Sequence, residues 1–352
     1  MPGFSRTRMR RAATRLRTKL SGDVESVRLR ELTQHVTHIE RRLHVAEFKV
    51  HRMVEAGFAA DEPMDTESFA RWLTWSAPGH SHSPIPNLHE LEAQADVLWP
   101  EKWPTELPGI DLRAEDQLQT FTQIAKLGRA LDINERETEP WRYHTGNTSY
   151  GPGDALTLHG MLRLIRPERL IAIGSGYAAA MTLDTVEHYL GGKTELTFIE
   201  SNPEVLDTVM RPGDRERITV IATPLQHVPV DTFATLQSGD VLFIDSTHVL
   251  KTGSDVAWLY GGLLPTLAEG VHVHVHDMFY PFEYPKEWVM EGRAWSEAYV
   301  VRAFLALNPS FEITLFNDWL AHFHRDLIGR ELPETLTDTG SALWLRRVRP
   351  SG

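Results

Sequence analysis

The chain has 352 residues, 41% hydrophobic and 24% charged, enough to bury one sizeable core with length left over for something extra. A net charge of −12 argues against nucleic acid as a partner, because phosphate binding needs a basic face. With no cysteine, disulfides, zinc–thiolate sites and cysteine nucleophiles are excluded, and a cytoplasmic location is expected. No apolar run reaches the length of a membrane-spanning helix, and the basic N-terminus lacks the apolar stretch of a secretory signal.

Residues 1–20 carry seven basic side chains (Arg6, Arg8, Arg10, Arg11, Arg15, Arg17 and Lys19) and no acid, which reads as a solvated arm. Its other reading is a weak contact with an anionic membrane surface through Phe4, Met9, Leu16 and Leu20. Within residues 21–58, Leu29, Leu32, Val36, Ile39, Leu43, Ala46, Val50 and Met53 alternate three and four apart. That unbroken a/d seam predicts a coiled coil and a homo-oligomer joined through residues 25–58; a helix packed on its own domain is the alternative. In residues 59–150, Pro84, Pro86, Pro100, Pro104 and Pro108 separate short pieces, with helices expected over Leu88–Leu98 and Glu115–Leu131. This stretch reads as a helical cap or linker, and His80 and His82 as part of a polar loop.

The main domain is expected over residues 151–352. Apolar runs at Leu170–Ile173, Leu196–Ile199, Ile218–Ile221, Val241–Ile244 and Val271–Val275 read as strands. Helices are expected at Ala178–Leu190, Pro203–Val209, Ser254–Leu267 and Trp295–Leu307. Phe311–Phe316 and Ala342–Arg346 complete the set as an antiparallel edge pair joined without a helical crossover. The pattern predicts a Rossmann-like α/β fold, a mainly parallel seven-stranded sheet with helices on both faces.

In such a sheet the ligand lies beyond the carboxyl ends of the strands. The first strand ends in Gly174-Ser175-Gly176-Tyr177, where glycines allow a tight turn and a close backbone approach. The second ends in Glu200, 26 residues after Gly174, an acid placed to take both hydroxyls of a ribose. Turn and acid together indicate a nucleoside-containing cofactor, either S-adenosylmethionine (SAM) or a dinucleotide. An NAD(P) oxidoreductase is weakened by Ala179, where the third glycine of that fingerprint usually sits. The fourth strand ends in Asp245-Ser246-Thr247-His248 and the fifth in His276-Asp277. Asp245 and Asp277 are therefore expected side by side, with His248 and His276 near them. This donor set suits Mg²⁺ or another divalent cation such as Mn²⁺ or Fe²⁺. His272, His274 and His276 share one strand face, but only His276 reaches the edge. The aromatic run Met278–Trp288 suits a lid or substrate wall.

These runs, Ile173–Tyr177, Phe198–Glu200, Phe243–His248 and His276–Pro285, resemble class I SAM-dependent methyltransferases. They are most similar to a bacterial subgroup of small-molecule O-methyltransferases related to macrolide-sugar and catechol-type enzymes. The resemblance covers about residues 150–346, with Leu107–Asp111 also similar, and leaves the arm and heptads aside. It implies SAM bound by Gly174, Ser175, Gly176, Tyr177, Glu200, Gln226 and Asp245. It implies His248 as general base and a divalent ion on Asp245, His276 and Asp277, although His276 stands where the macrolide-sugar enzymes carry an acid. The implied reaction is methyl transfer to a hydroxyl of a small-molecule acceptor: a sugar, polyketide or phenol. A non-catalytic SAM-binding scaffold is the other reading.

Overall fold

A computed structural model describes Ser76 and residues 78–349, apart from 129–130, 132–137 and 148. The chain divides into two units, Met1–Ala77 and Pro78–Gly352, and the second holds the fold described below. The basic arm and the heptad segment, with the coiled coil, oligomer and membrane contact expected of them, lie outside the described residues.

Seven strands form one sheet in the order β3-β2-β1-β4-β5-β7-β6. They are β1 (Arg169–Ile173), β2 (Glu195–Ile199), β3 (Ile218–Ile221), β4 (Val241–Ile244), β5 (His272–Val275), β6 (Phe311–Phe316) and β7 (Leu343–Arg347). The first five pair in parallel, and β7 runs antiparallel to both β5 and β6. The short apolar runs of the sequence reflect burial on both faces: all four residues of β4 are buried, whereas edge strand β3 is partly open. Strand order reverses between β1 and β4, which opens a crevice at their carboxyl ends.

The helices are α1 (Leu88–Ala93), α2 (Ala95–Leu98), α3 (Ala114–Gly128), α4 (Pro152–Ile165), α5 (Gly176–Tyr189), α6 (Glu204–Val209), α7 (Asp255–Trp258), α8 (Lys286–Met290), α9 (Glu297–Leu305), α10 (Asn317–Phe323) and α11 (Arg325–Glu331). The predicted helix over 88–98 breaks at Gln94 into α1 and α2. Helix α4 escapes sequence reading because every residue from Gly153 to Leu162 is buried, leaving no polar face to mark a helical period. It packs on α3 so closely that a Cβ on Gly160 would press into Ile124. The core is therefore continuous from α3 into the sheet.

Two expected elements differ. The single helix over Ser254–Leu267 is instead α7, a π turn at Leu259–Leu263 and a 3-10 turn at Leu264–Thr266. Gly261 and Gly262 weaken regular helix there, and Pro265 lacks the donor to continue it. Strands β6 and β7 do pair antiparallel, but α10 and α11 join them. Those helices bury Trp319, Leu320 and Ile328, apolar positions too short-spaced to stand out in the sequence.

One buried ion cluster fastens the segment before α4. The Arg142 guanidinium reaches Asp184 at 2.9 Å, Glu187 at 2.9 Å and Asp214 at 2.8 Å. Asp184 also accepts the backbone N–H groups of Arg142 and Tyr143, so each oxygen is occupied. Removing the cation leaves buried Asp184 without its charged partner, while Asp214 keeps Arg217 at 2.7 Å. Arg142→Met is expected to lower stability by about 3–5 kcal/mol, read in urea as a lower midpoint at unchanged slope.

Candidate active site

Four backbone hydrogen bonds define the carboxyl edge of the sheet. Gly174 N donates to Ile199 O (3.0 Å), Glu200 N to Ile221 O (3.1 Å), Asp245 N to Ile173 O (2.8 Å) and His276 N to Ile244 O (2.9 Å). Each strand thus hands its next residue to the crevice. Gly174 has φ +69, and a Cβ there would collide with the Asp245 carbonyl oxygen, so both conformation and space require glycine. Gly176 has φ +44 with open space where its Cβ would be. Buried Ser175 places Oγ 3.5 Å from Glu200 Oε2, and burial raises the Glu200 pKa. Tyr177 packs edge-on against His144 at 5.7 Å. Gln226, in the 3-10 turn Leu225–His227, donates to Gly253 O at 2.7 Å. The predicted cofactor residues therefore frame the ends of β1, β2, β3 and β4.

The predicted pair Asp245 and Asp277 converges on one atom. His248 Nε2 lies 3.4 Å from Asp245 Oδ1 and 3.5 Å from Asp277 Oδ2. The other ring nitrogen, Nδ1, is 2.9 Å from Glu297 Oε2. Burial opposes charge on this ring, but hydrogen bonds to Asp245 and Glu297 outweigh it, and the His248 pKa is pushed up to about 10. The three carboxylates around the ring thus favour its protonated form. Hydrogen bonding to His248 lowers the Asp245 pKa against the opposite pull of burial. Burial opposes charge on His276, but Asp277, Asp245 and Asp154 outweigh it and raise its pKa.

A divalent ion fits this donor set poorly. Among the described residues no three His, Cys, Asp or Glu groups are placed to hold a metal. His248 Nε2 stands between the two carboxylates, within 3.5 Å of each, and His276 Nε2 lies 3.7 Å from Asp277 Oδ1. The expected ligand set of Asp245, His276 and Asp277 is thus assembled as an ion cluster around histidine. Further along β5, His274 is fully buried and stacked on Phe243 at 4.2 Å, a packing role, as its inward position implied. His80 and His82 form an exposed turn.

Beside the cluster opens a cavity of 730 Å³ that touches His276 and Asp277. Phe279, Trp288 and Trp295 supply aromatic wall, and Asp154, Asp318 and Asp338 supply carboxylates. The aromatic run divides its side chains: Met278, Tyr280, Phe282 and Tyr284 enter the core, leaving Phe279 and Trp288 for the cavity. Three residues here were not predicted. Asp154 starts α4, accepts Ser341 N at 2.9 Å, and burial lifts its pKa to about 6. Tyr150 packs 5.1 Å from the His276 ring. Glu297 follows Ser296 on a helix whose sequence shows only a surface-like acid. A faint signal existed for Asp154, an acid just after the glycine–proline start of a helix; none existed for Glu297.

Residues 171–278 match a family model described as a methyltransferase domain, a span that contains every predicted site residue. An uncharacterized protein of Archaeoglobus fulgidus is 29% identical over 164 residues, which cover 46% of this chain and 73% of that one. Among solved structures, the chain is similar to the O-methyltransferase TomG from Streptomyces achromogenes in complex with SAM, at 12% identity and TM-score 0.37, covering 74% of this chain and 96% of that one. It is similar also to SAH-bound methyltransferase PaMTH1 of Podospora anserina, at 14% identity and TM-score 0.37, covering 76% and 99%. A Mg-SAM form of CmcI is 14% identical at TM-score 0.37, covering 74% and 96%. The strand order with antiparallel β7 is that of the class I SAM-dependent methyltransferase fold, and the unit described above has that fold. No helix among the described residues is long and apolar enough to cross a membrane.

The His248 cluster has a consequence for stability. A histidine pKa raised from 6.5 to about 10 contributes stability that is complete below 6.5 and is lost as pH rises through about 10. Urea unfolding of the wild type should therefore weaken across that window, and His248→Gln should flatten the decline. An unchanged slope in the variant would show that the ring is not held as an imidazolium.

Proposed function

We propose that the protein transfers the methyl group of SAM to a hydroxyl of a small-molecule acceptor. The observation that carries this reading is the placement of the glycine turn, Glu200 and the Asp245–His248–Asp277 cluster along one sheet edge, inside the span matched as a methyltransferase domain and beside an aromatic-walled cavity. SAM, when bound, supplies a methyl group on a sulfonium that an oxygen displaces in line. Gly174 and Gly176 give the cofactor a close backbone approach, Ser175 and Tyr177 line the turn, and Glu200 takes the ribose hydroxyls. Gln226, held by Gly253 O, would contact the adenine. Asp245 closes the cofactor side of the crevice.

His248 serves as the base, with Asp277 between it and the cavity. Asp245 and Asp277 hold the His248 ring in its protonated form, and a hydroxyl that donated to those carboxylates would loosen that hold. The ring releases that proton to water as the complex assembles and then accepts the hydroxyl's. Phe279, Trp288 and Trp295 hold a flat or ring-shaped acceptor, while Asp154, Asp318 and Asp338 accept hydroxyl hydrogen bonds and Arg293 and Arg325 can donate them. Sugar, polyketide and phenolic hydroxyls all meet these requirements. No step is assigned to a metal, because His248 occupies the space between the carboxylates.

The test is incubation with methyl-labelled SAM and a panel of glycosides, polyketides and phenols, with label expected on oxygen and EDTA expected to leave the rate unchanged. Glu200→Ala should weaken SAM binding by about 1–3 kcal/mol in calorimetry. His248→Ala should cut turnover by about 10²–10⁴ with SAM affinity nearly unchanged. Absence of SAM binding sinks the reading; full activity of His248→Ala removes the base.

A further inference from the structure

We infer that Glu297 is the positioning residue for His248, gripping the ring at Nδ1 so that Nε2 is aimed at the edge where Asp245 and Asp277 meet. Glu297 is fully buried at the start of α9, 49 residues along the chain from His248. Its Oε2 accepts from His248 Nδ1 at 2.9 Å and from Ser246 Oγ at 2.7 Å, and its Oε1 accepts from Tyr260 OH at 2.9 Å. Among the described residues, the cation it faces is His248.

A buried carboxylate is costly to desolvate, and an apolar residue of similar size would serve the core at least as well. The geometry gives this one a different task. His248 has φ +59, a left-handed conformation unfavourable outside glycine, so its loop must be held in place. The holding comes from the same helix start: Ser296 N and Glu297 N donate to His248 O at 2.8 and 3.0 Å, and Leu250 N donates to Ser296 Oγ at 2.8 Å. Ser246 Oγ in turn accepts His248 N at 2.9 Å while donating to Glu297. The Trp295 ring lies 4.4 Å from the imidazole and limits its rotation. Backbone, side chain and neighbouring ring thus act on one residue from one element. An imidazole that donates Nδ1–H to a fixed carboxylate keeps Nε2 as its exchanging atom, which is the atom between Asp245 and Asp277.

The use made of that Nε2 rests on the methyl-transfer reading; the grip on Nδ1 does not. The experiment is long-range proton–nitrogen correlation on full-length protein labelled with nitrogen-15 at histidine, near neutral pH, with His248→Ala assigning the signal. The wild type should show a hydrogen-bonded Nδ1 proton protected from exchange with water. Tyr260→Phe, which removes only the far partner of Glu297, should keep it. Glu297→Gln exchanges a charged acceptor for a neutral one and should shift the signal and speed its exchange by about tenfold, with SAM affinity unchanged. A wild type without a protected Nδ1 proton overturns the inference, whether or not the variant folds. So does a folded Glu297→Gln protein whose signal stays in place. Failure of every acceptor in the methyl-transfer panel overturns the proposed reaction instead and leaves this result standing.

Discussion

The loops leaving β1 and β4 pass so close that Gly174 has no room for a Cβ beside the Asp245 carbonyl. Much of the site follows from that contact. It occurs where strand order reverses, the place where an open α/β sheet parts to admit a ligand. The β1 turn is thereby free to approach a cofactor through backbone, and the β4 loop is fixed at its first residue. Asp245 then stands beside Asp277 at the end of β5, and the loop carries His248 back between them.

Two groups of buried charge behave differently in this framework. Around Arg142, three carboxylates surround one guanidinium, and the geometry satisfies its donors with good hydrogen bonds. That arrangement fastens the segment leading to Tyr150 and α4, which form part of the cavity wall. Around His248, three carboxylates again surround one basic group, but this one can gain and lose its proton. The first group is fit for holding structure, the second for exchanging a proton. Their difference lies in the chemistry of arginine and histidine rather than in the depth of burial.

The aromatic run after β5 links the core to the cavity. Tyr280, Phe282 and Tyr284 are anchored inside, with the Tyr280 hydroxyl donating to Pro104 O at 2.6 Å and the Tyr284 hydroxyl accepting Ala298 N at 3.1 Å. Their neighbours Phe279 and Trp288, on either side of this anchored stretch, line the cavity. Trp288 and Trp295 meet edge-to-face at 5.4 Å, and Arg293 lies 4.2 Å over the Trp288 ring. A wall assembled this way favours acceptors by shape and stacking.

Strand positions, the glycine turn, Glu200 and the strand-end aspartates were legible in the sequence, because each depends on local pattern: short apolar runs bounded by residues of known backbone preference. The antiparallel pairing of β6 and β7 was legible for the same reason. Helix α4 was not, since complete burial erases the amphipathic period, and the break in the helix after Ser254 turned on a glycine pair and a proline whose effects depend on packing. The convergence of Asp245 and Asp277 could be deduced from strand adjacency, but what lies between them could not. Whether those carboxylates receive a metal ion or an imidazole depends on the path of the β4 loop, and that path is held by Ser296 and Glu297 from a helix far along the chain. Sequence by itself determined which groups stand at the sheet edge. Tertiary structure alone decided which carboxylates surround His248 and the direction it points, because both come from partners brought together across 49 residues of chain and shielded there from water.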